Sequence, residues 1–496
     1  MPRFRQRTLS IVPSSPKLLT LALLGAAALP AAAAPTTAPI VGAPSAETVA
    51  VQLRDAALAG HDMAYSWVSE LTTRFGPRPA GSDNEHQAAQ WAAARLKALG
   101  FDNVHIESFP ITAWVRGAEA GELIAPTRQP LVLAALGESP PTPTQGLEGE
   151  VVVFASLAEL QAAQPGSLAG RVALVANRMV RTQDGEGYIA AVGARIEGPA
   201  AAARAGAIAF LMRSVGTDSH RIAHTGTTRY VAGKVPLPCF ALSAPDAEQL
   251  ERLAALGLSP RVHLYSAASY VSDAHSQDVI ADVRGTLKSE EFVLLAAHLD
   301  SWDQGTGAID DGAGTAIITA AAKLIRDLPH RPKRTVRVVL YGSEEIAQPV
   351  KPFGDFGGYA YANNHASELA RHVLAGESDS GTDRIYALGL PGAVRRGAFA
   401  DAVQRVLGPL GIIPAAAPRD GGADVAPIAE AGVPVFALNQ DSSRYFDIHH
   451  TSDDTLDKVD RVQLEQNVAA WAALIWLAAD SDVNFRGPAV PGPAER

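Results

Sequence analysis

Residues 292–311 read F-V-L-L-A-A-H-L-D-S-W-D-Q-G-T-G-A-I-D-D. The apolar run from Phe292 to Ala297 is short, continuous and bounded by polar residues, the pattern of a strand buried on both faces. His298 and Asp300 stand at its C-terminal end, a glycine-bearing loop follows, and Asp310 and Asp311 precede a helical pattern (G-A-G-T-A-I-I-T-A-A-A-K-L-I). In open α/β sheets ligands bind beyond the carboxyl ends of the strands. Imidazole and carboxylates delivered there predict a metal site.

Working outward, Thr335–Tyr341 is a second buried strand, ending in Gly342, Ser343, Glu344 and Glu345. His372–Ala375 starts a third, ending in Glu377, Ser378 and Asp379. Gly432–Leu438 is expected to be a fourth, leading to R-Y-F-D-I-H-H-T-S-D-D-T with His449 and His450. Arg461–Ala479 reads as a terminal helix with Trp471 and Trp476 on a core face. Strands alternating with helices predict an α/β fold, a mainly parallel sheet sandwiched by helices. Each polar group alone has an ordinary explanation: Asp310 or Asp311 as a helix cap, the Glu pair as solvated surface, the His pair as packing. Those explanations leave unaccounted for the arrival of nitrogen and oxygen donors at every strand end, a set suited to Zn²⁺.

N-terminal to the opening stretch, residues 46–108 read as helix, loop, helix and strand, with a Gly/Pro loop at Arg74–Ser82 and a helix over Asp83–Leu99. From about Trp114 to Ala274 short strand-like runs alternate with Gly/Pro-rich connections and one Ala-rich helix, Pro199–Ala205. We expect an inserted β-rich domain over 118–275 that contributes no metal ligand. His220 and His224 are four apart, but the surrounding Thr, Gly and Arg residues do not make a helix that would pair them. The expected division is a signal peptide at 1–34, the main domain in two parts at 46–117 and 276–483, the insert between them, and a tail at 484–496.

The signal rests on Arg3, Arg5, Arg7 and Lys17, the apolar Leu18–Leu29 and then Ala31–Ala34, a run too short to remain as a bilayer span. Its removal takes away four basic and no acidic residues, so 38 basic and 52 acidic side chains leave a net charge of −14. That balance disfavours nucleic acid and anionic membrane surfaces as partners. The lone cysteine, Cys239, sits in P-L-P-C-F-A-L and reads as a small core side chain. Export without disulfides fits a periplasmic or secreted protein with no membrane anchor in its mature chain. A homodimer is compatible with the sequence.

The pieces H-L-D-S-W-D-Q-G-T-G-A-I-D-D-G-A-G, S-E-E, E-S-D and H-H-T-S-D-D-T resemble the co-catalytic zinc aminopeptidases and carboxypeptidases. Within these they resemble carboxypeptidase Q-like exopeptidases with a protease-associated insert. G-P-R-P-A-G-S, W-V-R-G and D-G-G-A-D-V-A-P match as well, so the resemblance spans nearly all of the mature chain. It implies two Zn²⁺ per chain: one held by His298 and Asp379, a second by Glu345 and His450, with Asp310 bridging. It further implies Asp300 as the group orienting His298 and Glu344 as general base for a metal-bridging water. His449 takes the place where some relatives carry a Tyr that hydrogen-bonds the tetrahedral intermediate. The chain departs from the pattern after the Glu pair, where Ile346-Ala347-Gln348 leads into a longer loop with Pro349 and Pro352.

The implied reaction is hydrolysis of short peptides by an aminopeptidase or dipeptidase. An acidic site favours a free α-amine, and Asp424 in G-G-A-D is placed to face it. The competing readings are a carboxypeptidase on the same core, a single-zinc acyltransferase of the glutaminyl cyclase kind, and a non-catalytic binding protein. The complete two-metal ligand set disfavours the last two. No G-x-S-x-G or H-E-x-x-H occurs, which disfavours a serine hydrolase and a thermolysin-like enzyme.

Overall fold

A computed structural model describes residues 44–60, 62–228, 236–346, 356–418 and 420–487. The expected signal peptide, most of the expected tail and the Pro349/Pro352 loop lie outside the described residues. From Pro44 onward the chain belongs to one compact unit.

Three helices, α1 (Ala46–Leu58), α2 (Met63–Phe75) and α3 (Asp83–Ala98), precede the first long strand, β1 (Asp102–Val115). The central sheet is completed by β2 (Ser269–Val283), β3 (Lys288–His298), β4 (Arg334–Tyr341) and β5 (His372–Glu377), in spatial order β1-β2-β4-β3-β5. β3 is parallel to both β4 and β5, but β1 is antiparallel to β2 and β2 to β4. The sheet is therefore mixed, not mainly parallel. The reason lies in the insertion: the chain leaves the sheet along β1 and returns along β2. The two strands pair from Asp102↔Asp282 to Val115↔Ser269.

The stretch that opened the reading is the middle of this sheet. Side chains alternate across a strand, and those of β3 divide between two cores. Val293, Leu295 and Ala297 join the cluster containing Trp67, Trp471 and Trp476, while Leu294 and Ala296 join one containing Tyr341, Tyr361 and Val425. Two-sided burial is why the run is apolar without alternation. On the first face lie α4 (Ala313–Arg326) and the terminal helix α5 (Arg461–Ala479), capped by the Asp460 carboxylate, which accepts the amides of Val462 and Gln463.

The expected strand over Gly432–Leu438 is corrected. Only Val435 bridges to β5, with the Pro434 carbonyl and the Phe436 amide bonded to Ala375. Pro434 has no N–H to extend the ladder. The chain then turns away, and Ala437–Gln440 pairs with Ile385–Gly389 in a separate three-stranded sheet.

Residues 119–266 build an eight-stranded sheet of their own. Four of its strands, Leu147–Phe154, Val172–Val175, Ala209–Arg213 and Cys239–Leu242, are parallel neighbours. It carries helices at Glu186–Arg204 and Ala244–Ala255. The first helix runs well beyond the expected Pro199–Ala205. Its interior Gly187, Gly193, Gly198 and Pro199 read as breakers, yet glycine is needed where the helix packs closest. A Cβ on Gly198 would lie 2.3 Å from the Phe210 ring.

Candidate metal centre

The strand ends converge. His298 closes β3, and its Nε2 lies 3.2 Å from Asp310 Oδ1 and 3.5 Å from Asp379 Oδ1. His450 Nε2 lies 2.9 Å from Glu345 Oε2 and 3.4 Å from Asp310 Oδ2. Asp310 thus turns one carboxylate oxygen toward each of two imidazoles. All five side chains named as ligands from the sequence meet within this cluster, and Glu344 shares the wall of the adjoining cavity with Asp310, Glu345 and Asp379.

Hydrogen bonding separates the acids that hold backbone from those left free. Asp311 accepts the amides of His298 and Gly314, tying the end of β3 to the first turn of α4. Gly314 is required there, since a Cβ would lie 2.3 Å from Asp311 Oδ1. The Asp300 carboxylate accepts the amides of Glu344 (3.0 Å) and Glu345 (3.2 Å). His298 Nδ1 meets the Asp300 carbonyl at 3.1 Å and its carboxylate only at 3.7 Å. Asp300 therefore fixes the turn that carries the Glu pair as well as the ring. Ser343, at φ 60°, makes that turn and frees the two glutamates from strand alternation. Asp454 accepts the amides of Ala308, Ile309 and Asp310, holding the loop that presents Asp310.

The oxygens left over are Asp310 Oδ2, Glu345 Oε1 and Asp379 Oδ1, all buried without a hydrogen-bond partner. Burial, reinforced by neighbouring carboxylates, pushes Glu345 and Glu344 well above the ordinary carboxylate range, and Asp379 is raised as well. Burial also acts to raise Asp310, but the hydrogen bond with His298 and the closeness of the His450 and His449 imidazoles outweigh it and hold its carboxyl well below that range. Carboxylates crowded so closely lack positive charge between them. Orphaned oxygens and two imidazoles are a donor set that fits zinc.

Ligand-capable atoms also group as Asp310, His449 and His450, and as His298, Asp311 and Asp379. Asp311 already spends an oxygen on each of two amides. His449 Nε2 is farther from Asp310 (3.8 Å) than His450 Nε2, and its ring sits edge-on to Tyr188 and stacked on His450. His224 is occupied by Asp218 (2.7 Å) and the His449 carbonyl (2.8 Å), while His220 points to solvent beside Asp218. Asp424, expected to face an α-amine, is fully buried behind the cavity wall, with neither carboxylate oxygen hydrogen-bonded.

Several residues shape the site in ways the sequence does not reveal. Arg78, in G-P-R-P, is fully buried and donates to the carbonyls of Gly76, Leu299, Thr306 and Gly307 at 2.7–2.9 Å, while its amide donates to Ser301 Oγ. It pins the loop between His298 and Asp310. The insert supplies Tyr188, Arg195, Thr227 and Thr228 to the wall of a cavity of about 570 Å³. Thr225 donates its amide to the His450 carbonyl at 3.0 Å, and its own carbonyl faces His450 Nδ1 at 3.4 Å.

Known proteins resemble the chain over most of its length. The profile of Peptidase family M28 matches residues 278–475. Carboxypeptidase Q of Mus musculus is 34% identical over 438 residues, spanning 88% of this chain and 90% of its own. The crystal structure of a peptidase M28 precursor from Shewanella amazonensis is 42% identical with a TM-score of 0.85, covering 90% of this chain and 99% of that one. A zinc aminopeptidase from Bacillus subtilis, 22% identical, shares the fold with a TM-score of 0.61 over 85% of this chain and 95% of its own.

Proposed function

The chain belongs to peptidase family M28 and is by that membership a zinc metallo-exopeptidase; from this premise we propose that it is a di-zinc aminopeptidase or dipeptidase acting on short peptides. His298 and Asp379 would hold one zinc and Glu345 and His450 the other, with Asp310 within reach of both. The observation that carries this reading is the Asp310 carboxylate, with one oxygen toward each imidazole. When bound, two such ions lower the pKa of water toward about 7 and polarise a carbonyl. Glu344, in the cavity wall with its amide fixed by Asp300, accepts the attacking water's proton and delivers it to the leaving amine. The C–N bond breaks, the hydroxyl remains on the acyl carbon, and the leaving nitrogen is protonated.

The carboxylate of Glu430 in the wall supports recognition of a free α-amine. Residues 118–275 act as a protease-associated domain that narrows the cavity. Among the described residues no helix is long and apolar enough to cross a membrane. We read the protein as periplasmic or secreted after loss of residues 1–34. Metal analysis of the purified protein, with hydrolysis of X-Ala dipeptides bearing free or acetylated amino ends, tests the proposal. About two zinc ions and a strict need for the free amine are expected. One ion or none in protein never exposed to chelator removes the two-metal mechanism.

A further inference from the structure

Arg116, in W-V-R-G, follows β1 directly where the chain enters the insert, and it is only 7% exposed. Its charge is met by Asp303, whose two oxygens accept from Nε and Nη2 at 2.8–3.0 Å, with Glu119 at 3.6 Å. The guanidinium still has donors to spare. Nη1 donates to the Ala135 carbonyl, and Nη2 also donates to Thr225 Oγ1 at 3.2 Å. The Thr225 hydroxyl in turn donates to the same Ala135 carbonyl at 2.8 Å. Arg116, Thr225 and Ala135 therefore close a triangle around a threonine that is fully buried, and the rigid fork of the arginine sets where its hydroxyl sits.

With its side chain held from behind, Thr225 turns its backbone to His450. Its amide donates to the His450 carbonyl at 3.0 Å, and its carbonyl faces His450 Nδ1 at 3.4 Å. His450 needs such a hold. Its φ of 60° lies in the left-handed region, which a residue with a side chain keeps only where its surroundings impose it. The other ring nitrogen, Nε2, is the one aimed at Glu345 and Asp310. An acceptor at one imidazole nitrogen sets the tautomer and the ring angle at which the other meets a metal. Trp302, whose ring lies 5.5 Å from that of His450, rests against the same guanidinium at 5.8 Å. His298 is built differently: its Nδ1 meets the Asp300 carbonyl in its own loop, and that loop is pinned by Arg78.

We propose that Arg116 is a positioning residue for one half of the metal centre, setting through Thr225 how firmly the Glu345/His450 site holds its zinc. This rests on the two-zinc reading above and concerns one of its sites alone.

The test challenges the purified zinc-loaded protein with rising chelator and reads the zinc retained, which gives an affinity for each ion. In Arg116→Met one ion is expected to bind about 10–100-fold more weakly, the scale for losing a group that orients a ligand, and the other to change by less than about threefold. Thr225→Val, which removes only the hydroxyl in the grip of Arg116, should weaken the same single ion. Thr225→Ser, which restores the hydroxyl, should recover it. In Glu345→Gln, left with the ion of His298 and Asp379, adding Arg116→Met should change nothing further, and a further loss there overturns the proposal. Both ions weakened alike would mark a merely structural arginine and overturn it too. So would both unchanged, or a loss in Arg116→Met that Thr225→Val does not share. If Arg116→Met does not fold, Thr225→Val decides by the same readings. Each of these failures leaves the two-zinc reading standing. Wild type that holds one ion or none sinks that reading, and this inference with it.

Discussion

The reaction cavity has two unlike walls. The one built on the central sheet carries Asp310, Glu344, Glu345 and Asp379, several of them with unbonded buried oxygens. The one built by the insert carries Tyr188, Arg195, Thr227 and Thr228, and among the described residues its formal charge is positive. On the proposed mechanism the acidic wall gathers what every turnover needs, and the insert wall is the part left to distinguish one substrate from another. Substitutions on the first should lower rates on all substrates, whereas those on the second should change ratios between substrates.

The largest effect should come from Asp310→Asn, which leaves an amide where one oxygen faces each imidazole. A neutral amide is a weak zinc ligand, so both ions should be affected, and activity on every substrate should fall by at least about 10⁴-fold. Metal content measured beside kcat checks it, and a variant retaining two ions and ordinary activity would place the shared ligand elsewhere.

Next, Glu344→Gln should keep both zinc ions and lose about 10²–10⁴-fold in kcat with little change in KM. Glu345→Gln should instead lose occupancy of the site shared with His450, with partial recovery in excess zinc. Zinc loss from the first variant and full loading of the second would mean that the two roles are reversed.

A smaller effect tests whether the acidic wall depends on its loop. Arg78→Met removes four side-chain bonds to carbonyls between Gly76 and Gly307. Orphaning buried acceptors costs about 1–3 kcal/mol each before relaxation, so a loss of roughly 3 kcal/mol in unfolding free energy is expected. Denaturant titration measures it, and an unchanged midpoint would show that the loop holds without the staple.

The smallest lies off both walls. Glu107 on β1 is hydrogen-bonded by His365, which with burial opposing pulls its carboxyl down to about 2, while Glu107 in turn raises His365. A carboxyl depressed on folding stabilises above its unfolded value and loses that stability as pH falls through the folded one. The raised imidazole stabilises at low pH and loses its share as pH rises through its folded value. Glu107→Gln should therefore be less stable than wild type near pH 5, with the gap closing toward pH 2 and narrowing above neutrality, and with kcat unchanged. A change in kcat would tie this pair to the cavity.

The two walls also differ in how far they could be read from sequence. His298, Glu344, Glu345 and Asp379 are legible because each follows a short apolar run, so strand end and chemistry coincide in one stretch, and Asp310 stands out between a glycine-bearing loop and a helical pattern. Arg195 was not: its helix is interrupted by Gly187, Gly193, Gly198 and Pro199, and a lone arginine among alanines carries no pattern. Arg78 could be seen as part of G-P-R-P, but its partners Leu299, Thr306 and Gly307 lie more than 220 residues away. The sheet was read as more parallel than it is because strand periodicity does not reveal direction. The pairing of β1 with β2 is set by where the insertion begins and ends. The Gly432–Leu438 stretch reads as a strand because its apolar pattern continues through Pro434, the residue that ends the ladder.

Thr225 and His450 exchange a reciprocal pair of contacts, amide to carbonyl in one direction and carbonyl to imidazole in the other. For anyone wishing to trim or transplant parts of this protein, that clasp makes the insert inseparable from the core. A shortened enzyme lacking residues 118–275 would keep all its ligands in the chain but would let the His450 ring turn. An insert grafted from a relative would have to bring a carbonyl to the same point before its own selectivity could be judged.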